Sequence, residues 1–128
     1  METVLIIEDN PDNMCLINDL LVLHGYHTIQ ATTGQQGLDI AHAAKPDFVI
    51  LDVQLPDING YEVIKQLRQD SKTAQLKVVA MTSLAMAGDR EKLLNAGCNG
   101  YIEKPINPAT VIAQIKAAIG ENNENTDR

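Results

Sequence analysis

Glu8 and Asp9 directly follow the aliphatic run Thr3–Ile7, Asp52 follows Phe48–Leu51, Thr82 follows Val78–Met81, and Lys104 lies just beyond Gly100–Ile102. Carboxylates, a hydroxyl and an ammonium at the ends of apolar runs are the ingredients of a charged reaction centre. Three carboxylates gathered in one crevice repel one another, and each raises the others' proton affinity unless a cation compensates. No His or Cys accompanies them, so the ion expected is a hard one, magnesium, which keeps several waters and can take a phosphate oxygen as a further ligand. Lys104 offers a mobile point charge to that same phosphate.

Each of these residues also has an ordinary reading. Asp9 and Asp12 could be acids in the first turn of a helix, favoured by its dipole. Asp52 could end a strand, Asp57 to Gly60 could be a plain turn, and Lys104 could be a solvated surface lysine. Their joint occurrence after four different strand ends is what favours the chemical reading.

The apolar runs, with Thr28–Ala31 as a fifth, are too short for stable helices and read as strands. Those at Thr3–Ile7, Phe48–Leu51 and Val78–Met81 are apolar at nearly every residue, which suits parallel strands covered on both faces. Between strands the period turns helical, with Leu16, Leu20 and Leu23 forming one predicted stripe and Val111, Ile112, Ile115 and Ile119 another. Asn10-Pro11 and Asn107-Pro108 each place a capping side chain before a proline at a first helical position. Gly25, Gly97 and Gly120 stand where helices should stop. Alternating strands and helices predict an α/β, doubly wound, five-stranded parallel sheet, in which ligands gather beyond the carboxyl ends of the strands.

A chain of 128 residues fits one domain. That domain is expected over residues 1–120, with a flexible polar tail at 121–128. With 45% apolar residues, no Trp and a single Phe, the core must be aliphatic. A net charge of -7 argues against nucleic acid and anionic membranes as partners. The first residues lack a basic start and a long apolar run, so a cytoplasmic protein is expected. Cys15 and Cys98 form no Cys-x-x-Cys pair and read as buried or half-buried packing residues; His24, His27 and His42 read as surface residues.

Glu8-Asp9, Asp52, Thr82 and Lys104-Pro105 together resemble the response-regulator receiver family, over residues 1 to about 120. The resemblance implies a flavodoxin-like sheet in strand order 2-1-3-4-5. It implies Asp52 as phosphoacceptor, with magnesium held by Glu8, Asp9, Asp52 and the Gln54 backbone carbonyl. Lys104, Thr82 and Ser83 would contact the phosphoryl group, Thr82 and Tyr101 would be switch residues, and the Lys104-Pro105 peptide would be cis. The function implied is a phosphoacceptor of a two-component or phosphorelay system, not an enzyme beyond assisting its own phosphorylation and dephosphorylation. Its donor would be a histidine kinase or histidine phosphotransfer protein, and a downstream protein target would read the switched surface.

Glu8-Asp9-Asn10 with Asn13 is similar to receivers of hybrid kinases and of the DivK type, and the chain as a whole resembles stand-alone regulators of the DivK and chemotaxis types. Ser83 is larger and more polar than the very small residue usual there, and a fifth helix with Gln114 and Lys116 lacks the basic pattern of dimerising receivers, so a monomer is expected. Gln54 and Leu84 would flank the hydrolytic water; Leu84 cannot orient it, so slow hydrolysis is expected. Two rivals fit less well. A haloacid-dehalogenase-type phosphatase would use Asp9 but needs Asp-x-Asp, where Pro11 stands. A flavin-binding module needs Ser, Thr or Gly phosphate donors, where Glu8 to Asp12 is acidic.

Overall fold

The computed structural model describes residues 2–83 and 87–120, the side chains of 87–89 excepted. Leu84 and the tail at 121–128, for which the sequence carries expectations, lie outside the described residues. Strands and helices alternate: β1 (Thr3–Ile7), α1 (Pro11–Leu23), β2 (His27–Ala31), α2 (Gly34–Ala44), β3 (Phe48–Asp52), α3 (Gly60–Gln69), β4 (Lys77–Thr82), α4 (Ala87–Ala96), β5 (Gly100–Glu103) and α5 (Val111–Ile119). The sheet is parallel throughout, in the order β2-β1-β3-β4-β5.

Period-two alternation along the central strands divides the core between two faces. Val4, Ile6, Phe48, Ile50, Val79 and Met81 point toward α1 and α5, where Ile17, Leu21, Val111 and Ile115 meet them. Leu5, Ile7, Val49, Leu51, Val78 and Ala80 face the other way, onto Leu38, Val63, Leu67 and Leu93 from α2, α3 and α4. Tyr26 and Phe48 pack edge-on, with ring centroids 5.6 Å apart.

Several local expectations need correction. On α1 the buried stripe is Met14, Ile17 and Leu21; Leu16 and Leu20 are half-buried and Leu23 is 76% exposed. Both stripes have helical spacing and apolar residues, so only the seating of α1 against the sheet selects between them. Asn10 caps α1 as predicted, its Oδ1 accepting from the amides of Asp12 and Asn13 at 2.9 and 3.0 Å. Asn107, however, opens a turn, accepting from Ala109 N–H at 2.9 Å, and α5 begins only at Val111. Gly25, Gly97 and Gly120 all have positive φ at the ends of their helices.

Cys98 is buried, but Cys15 is exposed, one step round α1 from the buried Met14. His24 and His27 lie on the surface, whereas His42 is half-buried, with Nε2 2.7 Å from Asp70 Oδ2. At the amino end of the sheet the Arg68 guanidinium donates to the carbonyls of Gly97, Ala74 and Leu76 and to Asn99 Oδ1. Among the described residues, no helix is long and apolar enough to cross a membrane.

Candidate functional site

The carboxyl ends of β1, β3, β4 and β5 meet in one crevice. Glu8 continues β1, with its amide donating to Ala31 O at 3.0 Å, and its side chain has no exposed surface. Glu8 Oε2 accepts from the Asn10 amide at 3.0 Å, while Oε1 has no hydrogen bond of good geometry and faces the Lys104 ammonium at 3.1 Å. Asp52 ends β3 and is 2% exposed. Its Oδ1 accepts from the Gln54 amide at 3.0 Å, and Lys104 Nζ lies 3.3 Å from its Oδ2. Asp9, on the surface, completes the group: Glu8, Asp9 and Asp52 each offer an oxygen within 4.8 Å of the others.

Burial pushes the Glu8 carboxyl above its usual range, and the neighbouring Asp52 adds to the effect. The Asn10 amide and the Lys104 charge oppose it without reversing it. Among the described residues, one ammonium is thus set against three carboxylates. Oxygen donors alone, one of them a buried carboxylate oxygen lacking a hydrogen bond, are the donor chemistry of a hard divalent cation. The residues present therefore fit magnesium.

The remaining candidates sit around this group. Thr82 ends β4, is 2% exposed, and its carbonyl accepts from the Lys104 amide at 2.8 Å. The Ser83 hydroxyl donates to Gln54 Oε1 at 3.0 Å, joining the segments that follow β4 and β3. Lys104-Pro105 is cis. Tyr101 lies half-buried on β5, with the Arg90 guanidinium 5.5 Å from its ring centre.

Sequence reasoning missed the role of Asp57, taken there as part of a plain turn. Its carboxylate accepts from the Gly34 amide at 2.7 Å and the Gln35 amide at 3.0 Å, at the start of α2. Those two amides, Gln35's first, hold its carboxyl below the usual range. Partners more than twenty positions away leave no local pattern. The one sequence signal was an acid in the same loop as Gln54.

The response regulator receiver domain family matches residues 4–116. The chain is similar to the polar-differentiation response regulator DivK of Brucella anthropi, 41% identical over 120 residues that span 94% of this chain and 98% of that one. Among solved structures it is similar to the receiver domain of the sensor histidine kinase PA1611 from Pseudomonas aeruginosa, which has a magnesium ion coordinated in its active-site cleft. That likeness has a TM-score of 0.84 at 31% identity, covering 93% of this chain and 98% of the other. The chemotaxis response regulator CheY4 of Vibrio cholerae has a TM-score of 0.88 at 25% identity, over 92% of this chain and 98% of its own. With a family match across nearly the whole sheet and this identity along almost all of its length, the chain belongs to the response-regulator receiver family, the phosphoacceptor signalling domains of two-component systems.

Proposed function

We propose that Asp52 is the phosphoacceptor and that phosphohistidine on a histidine kinase or phosphotransfer protein is the donor. The observation carrying this reading is the buried Asp52 carboxylate, clustered with Glu8 and Asp9 and within 3.3 Å of the Lys104 ammonium. Magnesium, when held by Glu8, Asp9, Asp52 and the Gln54 carbonyl, neutralises charge on the phosphoryl oxygens. An Asp52 oxygen attacks phosphorus in line; its bond to phosphorus forms as the P–N bond breaks, and that electron pair stays on the imidazole nitrogen. The Gln54 amide limits rotation of the carboxylate, and Lys104 and Ser83 receive the phosphoryl oxygens.

The product carries a charge of about -1.5 to -2, by analogy with other phosphorylated side chains. Thr82 answers it with its hydroxyl and Tyr101 turns inward, shifting the population between two packings of α4, β5 and α5. A groove of about 430 Å³ on that face, lined by Leu94, Tyr101, Glu103, Gln114 and Ala117, suits a protein partner. The working form is a cytoplasmic monomer with its domain at residues 1–120, signalling and not turning over an external substrate.

A small acyl phosphate with magnesium should add one phosphate by mass. The gain should disappear with chelator and be absent in Asp52→Asn. Labelling that persists in Asp52→Asn would overturn the assignment.

A further inference from the structure

The loop from Val53 to Asn59 leaves β3 at the acceptor and carries Gln54. Its base is closed tightly: the Gly60 amide donates to Val53 O at 2.9 Å, and a Cβ on Gly60 would fall 2.6 Å from Val53 Cα. Farther out the loop rises to the surface, where Gln54, Pro56 and Asp57 are exposed. There Asp57 reaches α2. Gly34 and Gln35 open that helix, and their amides have no acceptor within it; the Asp57 carboxylate accepts from both, one to each oxygen. The loop also runs close to the helix here, since a Cβ on Gly34 would lie 3.1 Å from Ile58 Cβ.

The start of α2 is therefore capped from two sources. The Gln36 and Gly37 amides go to Thr33, Oγ1 at 3.1 Å and O at 3.0 Å, which is local capping. The Gly34 and Gln35 amides go to a residue of the site loop. A backbone ligand to magnesium is useful only if the backbone is held, because that ion demands near-ideal octahedral geometry.

We infer that Asp57 is a positioning residue: by binding both opening amides of α2 it holds the Gln54 loop in the conformation that the metal site requires. The inference rests on the reading of Gln54 as a metal ligand. Thr33 supplies its natural control, because its capping bonds, from the Gln36 and Gly37 amides, stay within α2.

The test uses the full chain and two readouts: magnesium affinity by calorimetry, and amide hydrogen exchange at Gln54 and Gly60 in metal-free protein. Asp57→Ala should weaken magnesium binding by about ten-fold, the lower range for loss of a group behind a ligand, and should speed exchange at both amides. Asp57→Asn keeps one uncharged acceptor and should recover part of each. Thr33→Ala should lower thermal stability yet leave affinity and loop exchange as in wild type. Wild-type affinity in Asp57→Ala would overturn the inference, as would equal weakening in Thr33→Ala, which would reveal an effect of helix stability alone. A wild-type protein that binds no magnesium would instead overturn the metal reading, and this inference with it.

Discussion

The two ends of the sheet each hold a basic side chain, in opposite company. At the amino end Arg68 directs its donors at the carbonyls of Gly97, Ala74 and Leu76 and at Asn99 Oδ1, between 2.6 and 3.2 Å. At the carboxyl end Lys104 stands 3.1 Å from Glu8 and 3.3 Å from Asp52, with Asp9 close by. Neutral acceptors matched to a planar fork complete a guanidinium and tie α3 to the loops before β4 and β5. One compact ammonium faces three carboxylates, and the Glu8 carboxyl is raised chiefly by its burial, with the neighbouring Asp52 adding to the effect. The amino end is built for stability, while the carboxyl end gathers acidic charge at the place proposed to take a cation and a phosphoryl group.

The largest effect should come from Glu8→Gln. Loss of this proposed ligand should weaken magnesium binding by about 100-fold or more, at or beyond the upper range for a residue behind a ligand. The metal-free protein should nonetheless melt at a higher temperature, because the amide removes a buried, poorly compensated charge of the same shape. A lower melting temperature would mean that Lys104 already balances the site, and the contrast between the ends would fail.

Arg68→Ala should act in the reverse sense. Leaving its carbonyl partners without a donor should cost about 2 kcal/mol, or about 8 °C in melting temperature. Labelling of Asp52 well below the melting point should keep its wild-type rate, as expected for distant, independent sites. Slower labelling in the folded variant would show that the two ends are coupled.

The smallest effect sharpens the picture at the carboxyl end, where Asp57, unlike Glu8, is well satisfied. Its carboxyl is lowered by the Gln35 and Gly34 amides, so its contribution is full above the ordinary aspartate value of about 3.9 and disappears as pH falls through the lowered value. The melting temperatures of wild type and Asp57→Asn should differ most near neutrality and converge below about pH 4. Asp70, lowered by the Lys72 amide and then by His42, titrates in the same direction, so Asp57→Asn should remove only part of the acid sensitivity. A gap that stays constant with pH would remove the charge from the account of the tie.

Much of this was legible in the chain. The inner strands β1, β3 and β4 appeared as short aliphatic runs, because burial on both faces demands apolar residues at every position and not at alternate ones, whereas the edge strands β2 and β5 appeared only as short mixed runs. Glu8, Asp9, Asp52, Thr82 and Lys104 could be picked out because a parallel sheet brings the carboxyl ends of its strands to one edge, whatever the loops do. The buried face of α1 was not legible, since Leu16-Leu20-Leu23 and Met14-Ile17-Leu21 both have helical spacing. Cys15 was misjudged for the same reason, its exposure being decided by how the helix turns.

By itself the sequence determined the elements, their parallel arrangement and the acidic composition of the edge, all of which follow from patterns within a few residues of one another. Only the tertiary structure decided which partner each polar group found: Arg68 with Gly97, His42 with Asp70, and Asp57 with the start of α2. Those pairs join residues 23 to 29 positions apart, between elements whose spacing depends on the packing of both sheet faces at once. A hydrogen bond is made or lost within a few tenths of an ångström, and no local pattern carries distance at that precision.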